Sequence, residues 1–502
     1  MKLNKTLIIL SLLLVFCISL GAVSAADNTD MSVNDTTDNS VATVESSIMN
    51  EEINAVSDGK IHKSSEIYDE IYDIRGTYYI TNDYEIDETW EIPYRPNSRW
   101  VSHDIIIEGN NHTIYGNGKQ AFNIMNSKVI IKNLNFVNCS SYKGGAIYFN
   151  DNNCSVSGCS FVGCSANEGG AVYWYHVVFN ADVSGCSFVN CSSGGSGGAI
   201  YMGNSGSVSG CSFVNCSANN EGGAIYIYRG SVSGCSFVNC SVSNKGGAIY
   251  TTGGDGSSII CCSFVNCSSG GSGGAIYLSF IDININYCTF YDCRAGYVGG
   301  AIYMSGGENK INYCIFDNNK ASEGKDIFGS YKGNYDFNFF SFKNDEWFPK
   351  HLLYDGTKSF MPKSWVVLDI TNSTDNYFVK FVTDEGNNLS NSMPDYVARL
   401  VVGSEEKIIT IHNNMFSCDY DSTKTYNVYS LNSGKLLCSL PNCTVTSILE
   451  DNTTNNTDSN TEDINNSVVS NKINNVTNME NCGTPLIALL IALISLPIIR
   501  RK

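Results

Sequence analysis

Short apolar stretches alternate with small polar residues in a fixed order from about residue 130 to residue 330. No apolar stretch of this region keeps the 3.6-residue period of an amphipathic helix, so the pattern predicts strands. The phrase Gly-Gly-Ala-Ile-Tyr, once with Val for Ile, recurs every 24 to 28 residues; its copies begin at Gly144, Gly169, Gly197, Gly222, Gly246, Gly273 and Gly299. Such a period is typical of a solenoid.

A second phrase, Ser236-Phe237-Val238-Asn239-Cys240 and its variants, falls between the glycine phrases. One repeat buries about four or five side chains, worth at most about 1.5–3 kcal/mol each. Fixing the backbone costs about 1–2 kcal/mol for each residue, so a single repeat cannot fold alone. Stacked repeats add a hydrogen-bond ladder on both sides, and the sequence therefore predicts a parallel solenoid of three-stranded coils that rise about 4.8 Å each.

The pairing of a Cys-x-Phe strand with a Gly-Gly-Ala-Ile-Tyr strand resembles the polymorphic membrane protein type of repeat. The layout resembles the adhesin-like surface proteins of methanogenic archaea over about residues 60 to 345. The resemblance implies an all-β fold, a right-handed parallel β-helix similar to pectate lyase. The family's Phe-x-x-Asn survives only at Phe316 and Asn319, so we expect a column of sulfur where the family has an asparagine ladder.

Cysteines form two columns through the repeats, and we expect buried sulfur ladders. One column precedes the phenylalanine and the other follows it: Cys159, Cys186, Cys211, Cys235, Cys262, Cys288 and Cys314; then Cys139, Cys164, Cys191, Cys216, Cys240, Cys267 and Cys293. Disulfides at some corners are an alternative, although equivalent Cβ atoms about 4.8 Å apart are awkward to bridge. Metal binding is a third hypothesis, but a Cys-x4-Cys spacing provides no closed set of ligands. No cofactor is predicted.

A tyrosine follows the inward isoleucine or valine of each glycine phrase and therefore points outward. This column is the predicted ligand face: Tyr148, Tyr173, Tyr201, Tyr226, Tyr250, Tyr277 and Tyr303. Aromatic rows beside hydroxyl and amide groups suit carbohydrate or protein ligands. The alternative is that these rings stack on one another and only stabilise the fold.

The resemblance implies a cell-surface adhesin-like protein that presents the repeats to cells, glycans or proteins, with an unknown glycan or protein partner on another cell. A polysaccharide-degrading lyase or hydrolase is the competing hypothesis, and a purely structural envelope protein is another. Catalysis requires clustered carboxylates or basic groups on one strand face, whereas the charges here fall at different repeat positions. Asp292 and Arg294 form a close acid–base pair. We predict no catalytic residue.

Residues 1–25 have the basic start, apolar centre and small-residue end of a signal peptide. Residues 26–59 are a polar leader for which we predict no structure. The β-helix is predicted at 60–348, with about eight consensus coils and a capping helix at Ser65–Ile74. Early strands are predicted at Thr77–Ile80, Asp104–Ile107, His112–Tyr115, Phe122–Ile124 and Lys128–Phe136.

Alternating strands after the repeats predict an immunoglobulin-like β-sandwich at 364–444. Its predicted strands are Trp365–Ile370, Tyr377–Thr383, Val397–Val402, Lys407–His412 and Tyr426–Ser430. Residues 445–484 are predicted to be an Asn/Thr-rich stalk with glycosylation sequons, such as Asn452-Thr453-Thr454. The apolar run 485–499, followed by basic residues, predicts a short transmembrane or sorting segment.

The charge of the chain agrees with an extracellular surface. It has 31 Lys and Arg against 49 Asp and Glu, a formal net charge of −18. A polyanion would be repelled, so nucleic acid is excluded as a partner. The predicted location is the cell surface, with the bulk of the chain outside and the membrane contacted through the C-terminal segment.

Overall fold

The structure is a computed structural model that describes residues 59–440 with short gaps. The gaps are 75, 94–104, 126–127, 151–152, 176–180, 254–255, 281, 330–332, 342–351, 355–357, 360–361 and 374. The predicted signal peptide, leader, stalk and membrane segment lie outside the described residues. None of the described helices is long and apolar enough to cross a membrane.

Each coil of the repeat region contributes strands to parallel sheets that run along a solenoid of about ten turns. In one coil these are Ser236–Val238, Ser241–Val242, Ile249–Thr252 and Ser257–Ile260. Equivalent residues pair in register, as in Ser212 with Ser236 and Ser236 with Ser263. The register shifts between Met202 and Ser205, where Ile200–Ser209 pairs with Ile225–Ser233. The three-strand prediction was therefore incomplete, because the polar corner holds a fourth, two-residue strand.

The first sheet carries the repeated phenylalanines and is called the phenylalanine sheet. Its parallel strands are Ile61–Lys63, Asp83–Glu85, Thr113–Tyr115, Asn135–Val137, Ser160–Val162, Ser187–Val189, Ser212–Val214, Ser236–Val238, Ser263–Val265, Thr289–Tyr291, Ile315–Asp317 and Phe339–Phe340. The corner sheet follows it in each coil and consists of Ser140–Lys143, Ser165–Glu168, Ser192–Ser193, Ser217–Ala218, Ser241–Val242, Ser268–Ser269 and Arg294–Ala295.

The third sheet of the solenoid has 20 strands, which lie in two columns. In two of the coils a single long strand, Ile200–Ser209 or Ile225–Ser233, runs through both columns. The first column is called the tyrosine strands. Besides the two long strands it contains Trp90–Ile92, Phe122–Ile124, Ile147–Phe149, Val172–Trp174, Ile249–Thr252, Ile276–Ser279, Ile302–Met304, Ile327–Phe328 and Leu352–Tyr354. The last of these strands pairs with Lys358–Ser359. The second column, the bridging strands, also has Thr77–Tyr79, Ile105–Glu108, Val129–Lys132, Ser155–Ser157, Ala181–Ser184, Ser257–Ile260, Ile283–Asn286 and Lys310–Asn312.

The two glycines of each Gly-Gly-Ala-Ile-Tyr phrase are required for different reasons. Gly222 has a φ of 65°, a left-handed conformation that residues with a Cβ rarely adopt. Gly223 lies so close to the next coil that an added Cβ would be 2.0 Å from the carbonyl oxygen of Gly247. Ala224 and Ile225 then point into the core, where both are fully buried.

A short helical segment lies over the first coils, as the sequence predicts. A 3₁₀-helix, Ser64–Ile67, continues into an α-helix, Tyr68–Tyr72. Ile71 is fully buried in the core of the solenoid, and Trp90 donates its indole N–H to the Ser64 carbonyl at 2.8 Å. The early strands lie within two residues of their predicted bounds, except that Lys128–Phe136 divides into Val129–Lys132 and Asn135–Val137.

The C-terminal module is antiparallel and contains seven strands in two sheets. Val366–Asn372, Asn376–Thr383 and Met415–Asp419 continue the phenylalanine sheet. Glu405–Ile411, Tyr396–Val402, Tyr426–Ser430 and Leu436–Leu440 form a separate sheet in that order. The strands Met415–Asp419 and Leu436–Leu440 are not among those named from the sequence, and neither of them contains a fully buried residue that would mark it as a core strand.

The module packs on the outer face of the phenylalanine sheet. Val238, Val265 and Tyr291 point away from the solenoid core, yet all three are buried in one cluster with residues of the module. The corner residue just before the first cysteine column changes along the solenoid. It is glycine in earlier coils, at Gly158, Gly185, Gly210 and Gly234. In later coils it is Cys261, Tyr287, Tyr313 and Phe337, each of which keeps a positive φ. Tyr313 and Phe337 pack against the module cluster, and this contact offsets the strain of their backbone.

A buried carboxylate joins the last coils to the module. Asp317 is fully buried and accepts hydrogen bonds from Ser430 Oγ at 2.8 Å, Tyr396 Oη at 3.1 Å and Asn432 Nδ2 at 3.2 Å. Burial raises the pKa of this carboxyl above its ordinary value, and the donors oppose that shift. The polar network helps to fix the position of the module on the coil, because a buried carboxylate that lost these donors would remain unsatisfied in apolar surroundings.

Candidate binding face

The predicted tyrosine column lies on the outer surface of the tyrosine strands. In-register pairing places Tyr148, Tyr173 and Tyr201 above one another, and the same register continues to Tyr226, Tyr250, Tyr277 and Tyr303. The isoleucine or valine before each tyrosine is fully buried on the opposite face. The inward and outward assignments made from the sequence agree with the structure.

The rings of this column stack on each other and are less open to solvent than the sequence suggests. Neighbouring ring centroids lie between 4.4 Å, for Tyr201 and Tyr226, and 5.6 Å, for Tyr148 and Tyr173. Tyr173, Tyr250 and Tyr277 are less than 10% exposed. The broad faces of the rings therefore contact neighbouring rings, and the column presents ring edges and hydroxyl groups to a partner. The prediction of an openly exposed aromatic face needs this correction.

The hydroxyl groups of Tyr201 and Tyr226 stay protonated at neutral pH. Burial raises the pKa of Tyr201 to about 12, and burial also raises the pKa of Tyr226. Lys143 donates to the Tyr173 hydroxyl at 3.0 Å. These tyrosines thus present neutral hydroxyl groups that can donate and accept hydrogen bonds.

A charged row borders the tyrosines where the corner sheet ends. Lys143 Nζ lies 3.6 Å from a carboxylate oxygen of Glu168, and Lys245 Nζ lies 3.6 Å from Glu221. Lys143 also lies over the Tyr173 ring, and Lys245 lies over the Tyr277 ring. Both of these carboxylates are matched by a lysine, so this part of the edge carries little net charge.

Exposed aromatic residues follow the tyrosine column in the chain, at the bend toward the bridging strands, and the ring of one of them, Tyr175, also has Lys143 Nζ 5.1 Å from its centroid. Tyr175 is 44% exposed, Tyr228 is 42% exposed and Phe280 is 78% exposed. Sequence reasoning missed them because they are absent from the consensus phrases. Their signal in the sequence is an aromatic residue two or three positions after the column tyrosine, in alternate repeats.

All fourteen cysteines of the two predicted columns lie in the core as free thiols, and Cys154 is also buried. In the first column the backbone N–H of Cys186 donates to the sulfur of Cys211 at 3.4 Å, and the Cys211 thiol donates to the Val183 carbonyl at 3.6 Å. Burial raises the pKa values of the Cys267 and Cys288 thiols well above the ordinary value of a cysteine. Cys261, which belongs to neither column, lies at a left-handed corner and is disulfide-bonded.

The second cysteine column occupies the position predicted for it, and a separate asparagine ladder lies one residue earlier, on the outer surface. The asparagines that precede Cys191, Cys216, Cys240 and Cys267 form it, whereas Gly163 and Asp292 precede Cys164 and Cys293. Asn215 Nδ2 donates to Asn190 Oδ1 at 3.2 Å, Asn239 donates to Asn215 at 3.2 Å, and Asn266 donates to Asn239 at 2.8 Å. These residues have φ values of 53–56°, which asparagine tolerates better than most residues.

The acid–base pair that the sequence offers lies on another side of the solenoid. Asp292 accepts a hydrogen bond from the Asn318 side chain, and burial raises its pKa, while Arg294 is exposed on the corner sheet. Among the described residues, no group of three or more His, Cys, Asp or Glu side chains is placed to hold a metal ion.

A comparison with known proteins supports the fold. The family model described as "Right handed beta helix region" matches residues 170–340, which include most of the consensus coils. With the parallel in-register sheets, this match defines the solenoid as a right-handed parallel β-helix. No curated protein matches the chain.

Proposed function

We propose that the chain is a cell-surface adhesin-like protein, similar to those of methanogenic archaea, that uses the β-helix to bind a partner on another cell. The observation that carries this proposal is the aromatic face. Seven aligned tyrosines lie beside a charge-balanced row and a row of exposed aromatic rings. Aromatic and hydroxyl groups held in rigid order are suited to recognition because little side-chain entropy is lost on binding.

The order of the segments along the chain supports a surface role. A signal peptide at 1–25, a stalk at 445–484 and a membrane or sorting segment at 485–499 would place the β-helix outside the cell. We infer that the C-terminal module is immunoglobulin-like and holds the β-helix at the end of the stalk. Its apolar contact with the phenylalanine sheet leaves the tyrosine strands on a different face.

We propose binding rather than turnover of a polysaccharide. The carboxylates that border the tyrosine column, Glu168 and Glu221, each form an ion pair with a lysine. A glycosidase acid or nucleophile requires a carboxyl group whose proton affinity is tuned by its surroundings. A paired, half-exposed carboxylate is better suited to surface solubility and partner recognition.

Binding of the purified full-length protein to glycan and protein arrays tests this function. We expect specific signals that weaken when Tyr201 and Tyr226 are replaced by phenylalanine, because the ring stack then remains while two hydroxyl groups are lost. A matched control is Tyr142→Phe, an exposed tyrosine of the corner sheet. Failure to bind any array component or cell would refute the adhesin proposal, and release of soluble sugars from a polysaccharide would favour an enzyme.

A further inference from the structure

The exposed aromatic rings beside the tyrosine column occur on every second coil. Tyr175 belongs to the coil of Tyr173, Tyr228 to the coil of Tyr226, and Phe280 to the coil of Tyr277. The coils of Tyr201 and Tyr250 lie between them in the register. With strands about 4.8 Å apart, successive exposed rings are therefore separated by about 9.6 Å along the solenoid.

Glycine residues provide room for these rings. A Cβ added to Gly253 would lie 2.4 Å from Cζ of Tyr228, and a Cβ added to Gly306 would lie 3.2 Å from Cδ1 of Phe280. Tyr175 differs from these two rings: Gly203 lies near its backbone oxygen, and Lys143 Nζ lies 5.1 Å from the centroid of its ring. The two later rings thus rest against a backbone without a side chain, which leaves them outside the sheet and accessible.

We propose that this row of rings, Tyr175, Tyr228 and Phe280, binds an extended, uncharged β-1,4-linked polysaccharide that lies parallel to the solenoid axis. The inference rests on the proposed function, of which it specifies the ligand. In such a polysaccharide each sugar is turned by half a rotation from its neighbour, so the same face recurs at every second residue. One sugar advances about as far as one coil, so rings on every second coil meet equivalent sugar faces.

The chemistry of the face agrees with a neutral sugar. The apolar C–H face of a pyranose packs on aromatic rings, and the adjacent phenol hydroxyls can bond the sugar hydroxyls at the edge of the chain. The lysines of the bordering row are matched by Glu168 and Glu221, which leaves no excess positive charge for a uronate. The net charge of −18 further disfavours an acidic polysaccharide.

Ligand length provides a direct test of the geometry. The rings from Tyr175 to Phe280 span five successive coils, which correspond to five sugar residues. We expect the affinity of the full-length protein for soluble β-1,4-linked oligosaccharides of glucose, N-acetylglucosamine or mannose to rise from two to five residues and to change little beyond that. Isothermal titration or affinity electrophoresis measures this series. An affinity that is independent of length would overturn the proposal.

Variants test the assignment of residues. We expect the double substitution Tyr228→Ala and Phe280→Ala to weaken binding to the five-residue oligosaccharide at least tenfold, with an unchanged melting temperature because both rings are largely exposed. The matched control is Tyr142→Ala with Tyr297→Ala, two exposed tyrosines on the corner-sheet side, which should leave the affinity unchanged. Equal loss in both double variants would overturn the proposal.

The polysaccharide panel separates this inference from the adhesin function. We expect retention on insoluble cellulose, chitin or mannan, and none on amylose or polygalacturonate. Binding to protein or α-linked glycan components, without binding to any β-1,4-linked polysaccharide, would refute this inference and leave the adhesin function standing. Absence of binding to every component would refute both.

Discussion

The side-chain oxygen of Asn338 accepts the backbone N–H of Cys314 at 2.9 Å, in the place where a sulfur does the same in earlier coils. One coil before, the backbone N–H of Cys288 donates to the sulfur of Cys314 at 3.4 Å. The amide of Asn338 also donates to the Ile311 carbonyl, as each thiol of this column donates to a carbonyl of the preceding coil. The thiol and the carboxamide thus occupy equivalent positions in one ladder.

Replacing Cys314 by asparagine should therefore be tolerated better than replacing it by alanine. Asparagine keeps both the acceptor for Cys288 and the donor for the Ile285 carbonyl, whereas alanine removes both and leaves a cavity. We expect Cys314→Ala to lower the free energy of unfolding by about 1–3 kcal/mol and Cys314→Asn to lower it less. Urea denaturation measures both; the reverse order would show that the site accepts sulfur for its size alone.

Thiol labelling should distinguish the buried columns from the module. The fourteen column cysteines are buried, and burial keeps thiols such as Cys267 protonated and poorly reactive. Cys418 is partly exposed and has Lys407 Nζ 3.0 Å from its sulfur. Alkylation of the native protein followed by mass spectrometry should modify Cys418 within minutes and the columns only after denaturation. Rapid modification of most column cysteines would contradict their placement in the core.

Gly223→Ala should strongly destabilise the solenoid, because the new Cβ would lie 2.0 Å from the backbone oxygen of Gly247, which cannot move alone. We expect a loss of more than about 3 kcal/mol, or failure to fold. Gly386→Ala in the module is the comparison: Gly386 has a φ of 86° but nothing lies within 4 Å of its Cβ position, so only the strained backbone acts and about 1 kcal/mol is expected. Thermal unfolding followed by circular dichroism provides the measurement, and equal losses would show that the close contact at Gly223 costs no more than a strained backbone does.

The stability of the module contact should depend on the ionisation of Asp317. Its pKa is raised by burial above the ordinary 3.8, so the folded protein holds the proton more tightly than the unfolded chain. The contact should therefore strengthen as the pH falls from above the raised pKa to about 3.8, and weaken as the pH rises through the raised pKa. Tyr291, Tyr396, Asp292 and Lys435 lie near this carboxyl and also influence it.

Asp317→Asn isolates this effect, since an amide keeps a hydrogen-bonding group but does not titrate. We expect the variant to lose the pH dependence of module unfolding, measured by hydrogen exchange of the Tyr396–Val402 strand at several pH values. Asp317→Leu should cost about 1–3 kcal/mol for the hydroxyl groups it leaves without partners. An unchanged pH dependence in Asp317→Asn would assign the effect to another group.

The tyrosine column should contribute to stability through its rings more than through its hydroxyls. Tyr226 stacks at 4.4 Å on Tyr201 and at 5.3 Å on Tyr250. We expect Tyr226→Ala to cost about 1–3 kcal/mol and Tyr226→Phe to be nearly neutral in urea denaturation. Tyr228→Ala is the control, because this ring lies outside the stack and should change stability little. A neutral Tyr226→Ala would mean that the stack itself does not stabilise the fold.

The fold of the repeat region could be predicted because each coil repeats the same local choices. The period, the glycine pair and the alternation around Phe237 and Ile225 determine inward and outward positions without knowledge of other coils. The corner strand Ser241–Val242 could not be predicted, because two residues carry no period. It becomes a strand only through pairing with neighbouring coils.

The site was less predictable, because its character depends on distances between coils. The sequence places Tyr226 outside, but only the spacing of the stacked rings shows that their faces are covered. Likewise, Val238 and Asp317 are outward positions that the module buries, and no local pattern reveals a contact between residues more than a hundred positions apart.

The uniform register of the coils has a consequence for how such a protein can change in evolution. Because the upper edge of each coil matches the lower edge of the next, as Ser187–Val189 matches Ser212–Val214, duplication or loss of one repeat leaves both joins intact. The ends that terminate the sulfur columns, Asn319 and Asn338, are unaffected. Insertion or loss of one coil would change the spacing between the exposed rings, whereas insertion or loss of two coils would keep them on every second coil. Gene variants with longer binding faces should therefore differ by pairs of repeats.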